Sequence, residues 1–172
     1  MTTILGKQFE DGFILAADTQ VTVGEAAYCS PTMSKIVKLG GFWIGAAGDA
    51  SVCDAIQHLW KPVKIPEGVD EYHFMISSVV PSLRKLLVDR GIKQEDTTAL
   101  FLFGFNKKLF LVNDWTVLVS EDDIYAIGSG AQYALGALEA GADVHKAMRI
   151  AKKFDLNTGG PVQVVKEGVT NG

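Results

Sequence analysis

Cysteine is scarce in this sequence. Only Cys29 and Cys53 occur among 172 residues, which excludes a disulfide-stapled scaffold or a cysteine-rich metal module. Both thiols are expected to be buried apolar fillers in a protein of the reducing cytoplasm. Basic blocks are also missing. Lys and Arg number 16 against 20 Asp and Glu, a net charge of −4, so no cationic stripe exists to track phosphates and no nucleic-acid partner is expected. The longest apolar runs, such as Phe13 to Ala17 and Ala99 to Phe103, fall well short of the roughly 18 residues that span a bilayer. No membrane segment is expected. The start, Met1-Thr2-Thr3-Ile4, lacks the basic and apolar regions of a secretion signal. Gly40-Gly41 and Gly159-Gly160 do not form a phosphate-cradling loop, and His58, His73 and His145 have no carboxylate or cysteine at metal-ligand spacing. No nucleotide, metal or organic cofactor is implied. What is present, 48 % hydrophobic and 21 % charged residues over 172 positions, suits one folded domain spanning 1–172.

Periodicity sets the element order. Thr3 to Phe9 and Phe13 to Asp18 read as a hairpin whose second strand is covered on both faces, and Lys35 to Leu39 with Phe42 to Ala47 read as another. From Gly48 the period lengthens to 3.6: Asp49 is a cap, and Val52, Ala55, Ile56, Leu59 and Trp60 share one face of a helix. A longer helix is predicted from Asp70 to about Arg90, with Met75, Val79, Leu83, Leu86 and Leu87 buried, a kink at Pro81 and a stop at Gly91. Strands return at Thr98 to Phe105, Lys108 to Asn113, Thr116 to Ser120 and Ile124 to Ile127. Two helices follow, Gln132 to Glu139 and one from near Asp143 that buries Val144, Ala147, Met148, Ala151 and Phe154, and Val162 to Lys166 closes the chain as a strand. Two stacked sheets with helices on both outer surfaces, an αββα sandwich of the α+β class, would bury every apolar face; any two-layer α+β fold is the alternative.

The residues with chemical potential cluster in a few places. Thr2 follows an initiator Met that a small second residue allows to be removed, which would leave a hydroxyl and a free α-amine on one residue. An α-amine has an ordinary pKa of roughly 7.7–8.0, against about 10.4 for lysine, so near neutrality it can take the proton of its own hydroxyl. Asp18 ends an apolar strand and Lys35 opens a later one, so strand pairing would bring acid and base together near the chain start. Gly128-Ser129-Gly130 lies where a strand gives way to a helix, and Asp155 and Thr158 end the last helix with an acid and a hydroxyl three residues apart.

Thr2-Thr3-Ile4, Asp11-Gly12 leading to Ala17-Asp18, Lys35-Ile36, Gly45 to Ala50, Ala126 to Gly130, and Asp155 to Val165 together resemble the proteasome β-subunit family. The resemblance is nearest to the bacterial proteasome-like peptidase that works with an unfolding ATPase. It implies the N-terminal nucleophile hydrolase fold and a threonine endopeptidase in which Thr2, freed of Met1, is the nucleophile. Lys35 would be the cation beside its amine, Asp18 the partner of Lys35, and the Gly48 backbone N–H the oxyanion donor. Ser129, Asp155 and Thr158 would orient proton transfer, and Val21, Ala46 and Ala50 would line a pocket for an apolar side chain. Partners would be a protein or peptide substrate, further copies in a homo-oligomeric ring, and a separate ATPase. Two departures stand out: Thr158 occupies a position commonly serine in that family, and the Asp18–Lys35 spacing is one residue longer, with the insertion expected between Tyr28 and Ser34.

The same residues admit plainer roles. Asp18 and Lys35 suit a structural ion pair, Ser129 a turn, and Asp155 and Thr158 a helix end, while Cys53 between apolar neighbours suits packing. A catalytically silent subunit that retains Met1, or an amidohydrolase of small molecules, would fit the same sequence.

Overall fold

The computed structural model describes residues 2–29, 34–93 and 98–170. The layering follows from strands that are apolar on both faces. In β1 (Thr3–Phe9) and β2 (Gly12–Asp18), Ile4, Phe13, Leu15 and Ala17 point to one side, while Leu5, Ile14 and Ala16 point to the other. Side chains alternate with period two, so such strands must be covered twice.

Beyond the β3–β4 hairpin (Gln20–Val23 and Ala26–Cys29), five strands form one antiparallel sheet: β5 (Ile36–Leu39), β6 (Phe42–Gly48), β7 (Ala99–Phe105), β8 (Lys108–Asn113) and β9 (Thr116–Leu118). The other sheet adds β10 (Ile124–Gly128) and β11 (Val162–Glu167), in the order β10-β1-β2-β11. Ile4, Phe13 and Leu15 meet Ile36, Leu102 and Leu109 between the two sheets. Helices α1 (Ala50–Leu59), α2 (Glu71–Phe74) and α3 (Val80–Asp89) cover the five-stranded sheet over Phe42, Ile44, Phe101, Phe103 and Phe105. Helices α4 (Ala131–Glu139) and α5 (Val144–Phe154) cover the four-stranded one through Ala134, Leu138, Ala147 and Met148. The result is the αββα sandwich that the apolar faces predict, each buried phenylalanine contributing about 1.5–3 kcal/mol of transfer free energy.

Four expectations need correction. The predicted helix from Asp70 to Arg90 runs unbroken but not uniformly: α2 passes into a π segment, Met75–Val79, in which the Val80 N–H bonds back to the Met75 carbonyl, before α3. Pro81, in the first turn of α3, supplies no N–H and would crowd a regular turn before it, and the chain widens into the π segment at this disruption. The β3–β4 hairpin has no counterpart in the predicted elements, because its second strand is exposed throughout and shows no alternation. Cys29 lies on that strand and is exposed, not a buried filler, whereas Cys53 is buried; both are free thiols. Phe154, predicted to face the core, is 56 % exposed, because it ends α5 after the last core contact at Ala151.

The predicted cap at Asp49 and stop at Gly91 hold, and Asp143 and Gly141 bound their helices in the same ways. Asp49 accepts from the Ser51 and Val52 amides, Asp143 from that of Lys146, and Gly91 and Gly141 take the left-handed conformation that ends a helix. No helix among the described residues is long and apolar enough to cross a membrane.

Candidate active site

The chain start is fixed by its register. Thr3 pairs with Gly128 on β10, which places Thr2 just beyond the sheet end. Both sides of the Thr2–Thr3 peptide are held: the Thr2 carbonyl accepts from the Ser129 N–H at 2.8 Å, and the Thr3 N–H donates to Asp18 Oδ1 at 2.8 Å. A Cβ on Gly128, whose φ is +94°, would lie 1.8 Å from the Thr2 carbonyl oxygen, so only glycine lets the two chains approach this closely.

Asp18 is fully buried. Its Oδ1 accepts from Lys35 Nζ at 2.8 Å as well as from Thr3, and its Oδ2 accepts from the amides of Gln20 at 3.2 Å and Gly159 at 3.1 Å. Four donors replace the water that a buried carboxylate loses. Lys35 Nζ also donates to the Gln20 carbonyl at 2.6 Å. Burial pushes the Lys35 ammonium below its usual range, and the bond and charge of Asp18 oppose that shift. The expected insertion falls partly on residues 30–33, outside the described residues, but Lys35 itself is not displaced from Asp18.

A second network lies behind the first. Ser129 Oγ donates to Asp155 Oδ2 at 2.6 Å and Thr158 Oγ1 donates to the same oxygen at 2.5 Å. Since that bond uses the only hydroxyl proton of Thr158, Thr3 Oγ1 must be the donor in its 2.6 Å contact with Thr158 Oγ1, and it accepts in turn from the Gly130 N–H at 2.9 Å. Burial tends to raise the pKa of Asp155, but the bonds donated by Ser129, Thr158 and Asn157 outweigh it and hold the carboxyl below the usual carboxylate range.

One pocket of about 620 Å³ opens over this arrangement, lined by Thr2, Lys35, Gly48 and all three of Val21, Ala46 and Ala50. Gly48 stands at the end of β6, one residue before the Asp49 cap, rather than inside α1. Its φ is +116°, and a Cβ there would lie 2.1 Å from the Thr98 carbonyl oxygen. Cys53 and Asp54 also line the pocket, as does His58. Burial pushes the Cys53 thiol up to about 12, which suits packing and not nucleophilic attack. His58, His73 and His145 are all exposed.

Every residue to which the resemblance gives a role lies in or beside this pocket and its networks. Thr2, Lys35 and Gly48 line the pocket with Val21, Ala46 and Ala50, Asp18 lies buried beneath it bonded to Lys35, and Ser129, Asp155 and Thr158 form the second network. Thr3 is the main residue that sequence reasoning misses. It is fully buried and joins the two networks, bonding to Asp18 through its amide and to Thr158 through its hydroxyl. Threonine is an ordinary strand residue, so the sequence carries no signal for it; the pairing with Gly128 is what brings its hydroxyl into the network.

Comparison with known proteins places this geometry. A family model described as proteasome subunit matches residues 1–61. The chain is 32 % identical over 171 residues to the ATP-dependent protease subunit HslV of Bacillus cereus (strain Q1), covering 95 % of this chain and 91 % of that one. It is 30 % identical over 166 residues to the ATP-dependent protease subunit ClpQ of Bacillus pumilus (strain SAFR-032), covering 95 % and 90 %. The structure of Thiobacillus denitrificans BPH in complex with epoxomicin shares the fold, with a TM-score of 0.81 at 22 % identity over 99 % of this chain and 100 % of that one. With relatives at this identity along nearly its whole length, the chain belongs to the proteasome family, alongside subunits named HslV and ClpQ.

Proposed function

We propose that the chain is a threonine endopeptidase subunit, one catalytic domain over 1–172, that acts once Met1 has been removed. The observation that carries this is the double use of Asp18 Oδ1, which accepts from the Thr3 amide and from Lys35 Nζ and so ties the start of the chain to a buried cation inside one pocket. The freed Thr2 amine takes the proton of Thr2 Oγ as the oxygen attacks the peptide carbonyl. The cation of Lys35 lowers the pKa of that amine and stabilises the negative charge that develops. The carbonyl oxygen becomes an oxyanion facing the Gly48 N–H, a contact of a type worth about 10²–10³ in rate. Collapse of the tetrahedral adduct breaks the C–N bond, the amine returns its proton to the leaving nitrogen, and an ester on Thr2 remains for water to hydrolyse with the same amine as base. Ser129, Asp155 and Thr158 orient the proton transfers through the Thr3 hydroxyl and the Thr2 carbonyl.

The small apolar walls at Val21, Ala46 and Ala50 suit an apolar side chain before the cleaved bond. We further propose a closed homo-oligomeric ring in the cytoplasm that hides the sites from bystander proteins and is fed by a separate unfolding ATPase. The rings of Tyr133 on α4 and Phe154 on α5 lie 5.8 Å apart, tilted to each other, and are 43 % and 56 % exposed. An apolar patch of this kind suits a subunit contact. The test is hydrolysis of a fluorogenic apolar peptide by the wild type and by Thr2→Ala, with particle mass from light scattering. A Thr2-dependent rate in a ring-sized particle is expected. Equal rates for the two proteins would remove the peptidase assignment, and a monomer at micromolar concentration would remove the ring.

A further inference from the structure

Lys35 is held by its main chain as well as by its ammonium, and the holding groups include two glutamine side chains from different layers, with the Ser34 hydroxyl donating to the same Ile36 carbonyl as one of them. Gln57 stands on α1 and is 5 % exposed. Its Nε2 donates to the Lys35 carbonyl at 2.9 Å and to the Ile44 carbonyl at 3.0 Å. The Lys35 carbonyl also accepts from the Ala46 N–H at 3.3 Å, so the peptide leaving Lys35 is pinned from the helix layer and from β6 together.

Gln163 acts from the other sheet. Its Nε2 donates to the Ile36 carbonyl at 2.7 Å and its Oε1 accepts from the Ile36 N–H at 3.2 Å. Ile36 opens β5, which among the described residues is an edge strand of the five-stranded sheet, and the primary amide of Gln163 bonds its outward-facing main chain as a neighbouring strand would. Gln163 is itself in register with Ala17, the residue before Asp18. The same side chain therefore spans the gap between the sheet that carries Asp18 and the sheet that begins at Ile36, directly after Lys35.

We infer that Gln57 and Gln163 are positioning residues for the Thr2 reaction, clamping the main chain at Lys35-Ile36 so that the ammonium reaches Asp18 Oδ1 and the Thr2 pocket from a fixed point. A lysine side chain has four rotatable bonds, and a catalytic group has to be held within about 0.5 Å, which a mobile backbone would not allow. Asp18 restrains the ammonium at one end of that side chain, and the two glutamines restrain the Cα at the other. Gln57 also lines the Thr2 pocket, whereas Gln163 is not among its lining residues, so the Gln163 variants read the clamp apart from any change in the pocket wall.

The inference rests on the assignment of Thr2 as nucleophile, and its test separates the two. Gln57→Leu and Gln163→Leu keep the side-chain bulk and remove the hydrogen bonds, and Gln163→Asn keeps the amide but falls one methylene short. For the processed, assembled enzyme, both leucine variants are expected to lose ten- to a hundredfold in kcat with KM within twofold, and the asparagine variant to fall between. The acidic limb of the pH–rate profile should move to higher pH, because a displaced Lys35 depresses the Thr2 amine less. A general loss of stability would not move that limb. Crystal structures of the variants give a second readout, with Lys35 Nζ off Asp18 Oδ1 and the Thr2 peptide unmoved. A kcat within twofold of wild type for both leucine variants, or Nζ still on Asp18 with the limb unmoved, would overturn the clamp. Full activity in Thr2→Ala would overturn the Thr2 assignment alone, and the position of Nζ in the variant structures would still decide whether the glutamines hold Lys35.

Discussion

The amide of Thr3 and the ammonium of Lys35 meet on a single oxygen, Asp18 Oδ1, each at 2.8 Å. Their separation cannot exceed those two bonds laid end to end, so the cation is held beside the residue that follows the nucleophile. Residues from β1, β2 and the segment just before β5 converge on one atom, and Asp18, which carries it, is fully buried.

Removing either charge of this pair should damage both reaction and fold. Lys35→Met leaves the Asp18 carboxylate buried without its cation, a change that commonly costs about 3–5 kcal/mol, and the three remaining amide donors to Asp18 place the expected loss at the lower end. Peptide hydrolysis should drop by at least about 10²-fold, the scale of one lost electrostatic contact. Urea unfolding and steady-state kinetics on the same preparation check both.

Thr3 offers a separation of hydroxyl from shape. Thr3→Val keeps the branched side chain but leaves the Gly130 N–H without its acceptor and Thr158 without its donor, with an expected cost of about 1–3 kcal/mol. Thr3→Ser keeps the hydroxyl and should retain most of the stability. Thermal unfolding of the pair tests the network, and equal losses in both would show that shape, not hydrogen bonding, matters at this position.

Asp155 makes stability depend on pH in a stated direction. Its native pKa lies below the ordinary carboxylate value, so within that range the unfolded state binds more protons than the native state. Stability from this group is present above the unfolded pKa and is lost as pH falls through the native one. Asp155→Asn should therefore be less stable than wild type at neutral pH, and the gap should narrow on acidification. Denaturant midpoints between pH 7 and pH 3 test this, and a constant gap would contradict it.

Two glycine-to-alanine changes should act oppositely. At Gly130 an added Cβ would lie 2.3 Å from Thr3 Oγ1 and 2.9 Å from Thr158 Oγ1, so Gly130→Ala should force the network apart and lower activity. At Gly136, in the middle of α4, nothing lies within 4 Å. Gly136→Ala should leave activity unchanged and add up to about 1 kcal/mol of stability, since alanine favours a helix interior over glycine. Melting temperature and peptide hydrolysis on both variants distinguish the two effects.

Much of this site is legible in the sequence because its parts interrupt strong patterns. An aspartate at the end of an apolar strand and a lysine opening another stand out, and Ser129 between two glycines marks a strand-to-helix passage. Thr3 does not stand out, since threonine is an ordinary strand residue and only the pairing with Gly128 turns its hydroxyl inward. Gln57 and Gln163 are silent for a similar reason: their partners are backbone atoms remote in sequence, and no spacing rule announces a side-chain amide bonded to a main chain. The layers were legible from two-sided strands such as β2, which is buried at every position. The exposed β3–β4 hairpin lacked that signal, and at Pro81 the sequence marks a disruption without stating that the helix answers it with a π turn.

The most direct measurement is the location of the covalent intermediate. Turnover of an apolar peptide ester would be quenched in acid and the N-terminal peptide analysed by mass spectrometry. The expected product begins at Thr2, lacks Met1 and carries the acyl group on the Thr2 hydroxyl. Turnover by protein that still carries Met1, or an acyl group on any other residue, would contradict it.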